Sequence, residues 1–133
     1  MDYPTVTNYQ PGDGARKVDH SIQGVLTTVG AVTIYRLTIL GRITATEKYC
    51  FYDPANNPVG SSNIEGISLS EVVATGAVDK PVSVMREGEV DKAQIRIHGS
   101  AVGVGITAAI IDELQKLGIR VVSYTECGAY DNQ

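Results

Sequence analysis

Hydrophobic and polar positions along this chain follow two periods, and the change between them divides the sequence. From Gly30 to Leu40 the residues are almost all β-branched or apolar, which predicts one strand or a pair. Gly41 then leads into Arg42–Thr46, and Lys48–Tyr52 is a further strand candidate. The run Asp53–Asn63 is rich in Pro, Asn, Gly and Ser and predicts a long turn. Ile64–Ala74 puts Ile67 and Leu69 on one face and Ser68 and Ser70 on the other, the pattern of a half-buried strand. Thr75–Lys80 predicts a turn, Pro81–Arg86 alternates again, Glu87-Gly88 predicts another turn, and Glu89-Val90 leads into a strand over Lys92–His98. Beyond that point the period becomes helical. Ile106, Ile110, Leu114 and Leu117 share one face, with Asp112, Glu113, Gln115 and Lys116 opposite, which predicts a helix over about 106–117. Gly118 suits the residue after its end, and Ile119–Tyr124 reads as a last strand. Several short strands at close intervals and one amphipathic helix make the fold class α+β, a β-rich small barrel or sandwich with a C-terminal helix.

The first 17 residues keep no period. Pro4, Asn8, Pro11, Gly12, Asp13 and Gly14 predict an extended arm, with a β-rich domain from 18 to 133. Such an arm either frays or orders on a partner, and Tyr3, Val6 and Tyr9 at near-regular spacing suit the second outcome. The opening segment has no apolar core of the signal-peptide kind, and no apolar stretch approaches the ~20 residues of a membrane span. Synthesis in the cytoplasm is the expectation. At 133 residues the chain has the length of one domain. Its formal charge of −4 argues against nucleic acid as a partner, because phosphate affinity needs clustered Lys and Arg.

Candidate chemistry is sparse. Gly99, Gly103 and Gly105 lie between a predicted strand and the helix, where glycines can cradle a phosphate. Their spacing matches neither phosphate-loop pattern, and no Lys follows them. Gly99-Ser100-Ala101 is not a nucleophile elbow, and His20 and His98 are isolated. Cys50 and Cys127 form no metal-ligand spacing, and in the cytoplasm two free thiols are expected. The carboxylates are spread over turns and the helix face, so none is marked for acid–base work. No catalytic residue, metal ligand or cofactor is expected.

The ordered features from Leu37 to Val90 resemble the lambda-type bacteriophage head decoration proteins, also called capsid cement or stabilising proteins. The similarity runs through Gly41-Arg42-Ile43-Thr44, Tyr49-Cys50-Phe51-Tyr52-Asp53, Ile64-Glu65-Gly66-Ile67-Ser68, Val72–Pro81 and Arg86-Glu87-Gly88-Glu89-Val90. The resemblance implies a β-tulip-type domain and a structural virion protein rather than an enzyme. It implies a homotrimer at local three-fold positions on the outer surface of an expanded icosahedral capsid, bridging major capsid proteins. It also favours partner binding for the arm, with Tyr3, Pro4, Thr5, Val6, Thr7, Asn8 and Tyr9 as the capsid contacts, and implies no direct contact with nucleic acid or membrane. The chain lacks Trp, and its helix and final strand have no residue-by-residue counterpart in that pattern. Two other functions stay open at this level: a small nucleotide- or phosphate-binding enzyme using 99–105, and a tail-associated β-rich virion module.

Overall fold

The computed structural model describes residues 15–123. Its strands are β1 (Ala15–Thr27), β2 (Val32–Ile34), β3 (Ile39–Arg42), β4 (Tyr49–Phe51), β5 (Ile64–Ser68), β6 (Val72–Ala74), β7 (Asp79–Asp91) and β8 (Ile119–Val122). Among the described residues one helix, α1 (Ala108–Leu117), precedes β8. The main sheet runs β1-β4-β3-β5-β7-β8, and β1 also pairs with β7. Strands β1, β4, β3, β5 and β7 therefore close into a five-stranded barrel, which leaves that ring without edges. β2 and β6 form a separate antiparallel ribbon.

The strands at the heart of the sheet are buried on both faces. Leu40 and Val84 point into the barrel with Leu26, Ile34, Tyr49, Val72 and Val82. Their neighbours Ile39 and Met85 point the other way, into a second apolar layer with Ile67, Val90, Ile95, Ile110, Leu114 and Ile119. Successive strand residues face opposite sides, so a strand between two apolar layers needs continuous rather than alternating hydrophobicity. That is why the segment around Ile39-Leu40 reads as an unbroken apolar run.

The run from 30 to 40 is a pair of strands rather than one. Leu37 takes a left-handed backbone, φ 67°, and the chain turns there from the β2–β6 ribbon into the main sheet. The turn is held by hydrogen bonds: the Leu37 amide donates to the Ser68 carbonyl at 2.7 Å, and the Leu37 carbonyl accepts from the Arg96 amide at 3.0 Å. Ser68 is fully buried instead of facing solvent. Its hydroxyl accepts from the Thr38 amide and donates to the Tyr35 carbonyl, both at 3.0 Å. A hydroxyl so satisfied carries little desolvation penalty, which corrects the half-buried pattern expected for 64–74. That segment is also two strands, β5 and β6, in different sheets.

Three further expectations give way. No element was predicted over 18–29, yet β1 occupies most of it and is one of the two longest strands. Its inward positions Ile22, Gly24 and Leu26 alternate, but register shifts near Lys17–Ser21 blur the period upstream. β1 begins at Ala15, paired with Val90. Glu87-Gly88 does not turn; β7 continues through it, with Gly88 (φ 155°) lying against the Lys17 carbonyl of β1, where a Cβ would not fit. Finally, 92–98 is not a strand. It forms turns with one isolated bridge, Thr38 to Arg96.

The helix keeps its predicted place with a slightly later start. Thr107 is its N-cap, accepting from the Ile110 amide, and Gly118 closes it in the left-handed conformation. Ile106 therefore lies just before the helix, though its side chain is buried as expected.

Candidate functional site

In the glycine loop three amides are already committed within the loop. The amides of Ser100, Gly103 and Val104 donate to the carbonyls of Ile97, Ile95 and Ala101, at 2.9, 2.7 and 3.1 Å. Donors spent inside the loop are unavailable to an anion. Gly103 lies against the Ala93 backbone, with its would-be Cβ 2.9 Å from the Ala93 oxygen, so that glycine is a packing requirement. A cavity of about 350 Å³ opens beside the loop, among Tyr52, Ile64, Ile97, Thr107, Ile110 and Glu113. Glu113 is the one charged group in its lining, and a carboxylate repels phosphate.

The other reactive side chains are held by the core. Cys50 is a buried free thiol in β4, and burial, with Asp53 nearby, pushes its pKa up to about 11. At neutral pH it stays protonated, the unreactive form. The His98 ring stacks on Phe51 with centroids 4.2 Å apart, and desolvation lowers its pKa. It packs against β4 rather than ending a strand. Among the described residues no group of three or more His, Cys, Asp or Glu side chains could hold a metal. None of the helices described is long and apolar enough to cross a membrane.

The geometry around the chain ends is more informative. At the end of β7, Ala15 of β1 and Val121 of β8 both pair with Val90. β1 is antiparallel to β7 and β8 is parallel to it. Ala15 and Val121 thus lie at one end of the barrel, on either side of β7. With strands ~4.8 Å apart, the two residues are about 10 Å from each other. The expected arm contacts, Tyr3, Pro4, Thr5, Val6, Thr7, Asn8 and Tyr9, lie outside the described residues, as does Cys127. No sequence signal pointed to Ala15 and β8 as neighbours across β7, because that adjacency is a matter of topology alone.

Compared with known families, residues 18–119 match the bacteriophage lambda head decoration protein D. The chain belongs to that family. The match takes in the closed barrel, the glycine loop and the helix, and stops at the first residue of β8. None of the curated proteins searched matches the chain. Membership makes this a structural component of a phage head: it decorates the capsid, and the virion is where it resides. A decoration protein works through surface, so the places to look for function are the faces and tails that can meet a shell.

Proposed function

We propose that this head decoration protein attaches as a homotrimer at local three-fold positions of an expanded capsid, bridging neighbouring major capsid proteins and stabilising the shell. The observation that carries the reading is the family match over residues 18–119. The shape of the body supports it: the five-stranded ring closes on itself without edges, and Ala15 and Val121 flank β7 at one end of that ring. The residues Tyr3 to Tyr9 of the arm are the capsid contacts. Fully extended, 14 residues reach about 50 Å at most, far enough to cross from the barrel onto a neighbouring subunit. Stable protein contacts bury roughly 1,200–2,000 Å². A trimer offers three arms at once, so its avidity exceeds that of one arm by orders of magnitude.

Deletion of residues 1–10 tests this division of labour. The truncated chain is expected to keep its melting temperature and its trimeric mass by light scattering, and to lose attachment to decoration-free expanded heads. Wild-type attachment by the truncated chain, or a monomeric mass for the full chain on the head, would overturn the reading.

A further inference from the structure

We propose that the cavity between α1 and the barrel is a binding site for small amphipathic amines, holding the apolar tail inside and the ammonium at the mouth beside Glu113. Its volume, about 350 Å³, falls within the roughly 300–1,000 Å³ of small-molecule sites. Ile64 and Ile110 are buried and make its floor, and Ile97 is half-buried beside them. These isoleucines offer a ligand dispersion and the release of water from apolar surface, with no hydrogen bond to satisfy. The part of the ligand that goes in is therefore hydrocarbon.

The polar groups of the lining decide the head. The Ser62 hydroxyl donates to Asn56 Oδ1 at 2.9 Å, which leaves its oxygen to accept. The Thr107 hydroxyl oxygen accepts from the Ile110 amide at 3.3 Å and is occupied as the helix cap. Glu113 carries the one charge of the lining among the described residues, and its side chain is 53% exposed, which puts the carboxylate at the mouth. Lys116, outside the lining and 73% exposed, reaches Oε2 at 3.2 Å. An exposed i,i+3 pair of that kind is weak, so the carboxylate can share itself with a second cation. Acceptors and a negative charge at the mouth favour a head that donates and is positive. Anions of the same shape are repelled by Glu113, and a diamine spanning the cavity would bury its second ammonium among the isoleucines. The lining lies within the β-rich body, so the site is independent of attachment to a capsid.

Titration of the full chain at low salt, followed through amide chemical shifts, tests the site with phenethylammonium, its neutral isostere phenethyl alcohol, phenylacetate and putrescine. The amine should shift the Ile64, Ile97 and Ile110 amides and bind about two- to fivefold more tightly than the alcohol, the worth of an exposed ion pair. Phenylacetate and putrescine should bind more weakly than the alcohol. Glu113→Gln should bind amine and alcohol equally, and its retained binding of the alcohol reports an intact cavity. On the wild-type chain, high salt should erase the same difference. Ala109→Leu, which places a larger apolar side chain at an exposed position of the lining, should weaken amine and alcohol alike with melting unchanged. Shifts that are absent or confined to other residues, or equal binding of amine and alcohol by the wild-type chain, would overturn the inference. So would unchanged binding in Ala109→Leu, or a preference for the amine that survives either Glu113→Gln or high salt.

Discussion

At Gly41 the barrel wall is one hydrogen atom thick. A Cβ there would overlap the Ser61 carbonyl and come within 2.9 Å of Ser61 Cα, and backbone cannot swing aside as a long side chain can. Gly41→Ala is expected to destabilise the fold by about 1–3 kcal/mol, the usual cost of overpacking, seen as a lowered melting temperature. Cys50 makes a different prediction. Its folded pKa is raised to about 11 from 9.0, so its contribution to stability is fully present below pH 9 and fades as pH rises from 9 to 11. The fade amounts to less than about 3 kcal/mol. A Cys127→Ser chain should resist alkylation at pH 8 while folded and react fully in denaturant, and Cys50→Ala should flatten the alkaline part of its stability curve. Fast labelling of the folded Cys127→Ser chain would refute the buried, protonated thiol.

Among the elements, α1 was the most legible in sequence and β1 the least. The helix has a 3.6-residue apolar period, a Thr cap and a terminal Gly, all local signals that need no partner to be read. Leu114 is its deepest residue, fully buried in the layer that joins the helix to the sheet. Leu114→Ala should cost about 2–5 kcal/mol by leaving a cavity, and Thr107→Ala about 1 kcal/mol through the lost cap. Chemical denaturation of both variants checks the ranking, and equal effects would contradict it. β1 escaped notice because its inward residues are interrupted by register shifts and by Gly24, whose missing side chain makes room for the Tyr49 ring. β7 looked like two strands for a related reason: Glu87-Gly88 has the composition of a turn, while Gly88 in fact permits close approach to β1.

For the whole molecule, closure depends on β1 and β7, which pair from Ala15–Val90 to Thr27–Asp79. Leu26, Val82 and Val84 are buried along that seam. Hydrogen exchange should therefore be slowest in the Ile22–Leu26 and Val82–Met85 stretches and much faster in the turn 53–63 and the loop 99–105. Uniform protection across the molecule, or slowest exchange in the loops, would be inconsistent with a barrel closed in this way.

By itself the sequence determined the fold class, the helix with its closing Gly118 and the long turn, and its ordered β pattern pointed to the decoration family. These are readable because propensity, turn chemistry and amphipathic period act over a few neighbouring residues. Only the tertiary structure decided that the strands close into a barrel, that Ser68 is buried, and that the Ser100, Gly103 and Val104 amides are spent internally. It alone brought Ala15 and Val121 to one end of the barrel, on either side of β7. Each of these depends on pairing between residues tens of positions apart, and strand pairing is set by which edges meet in space, a quantity no local pattern encodes.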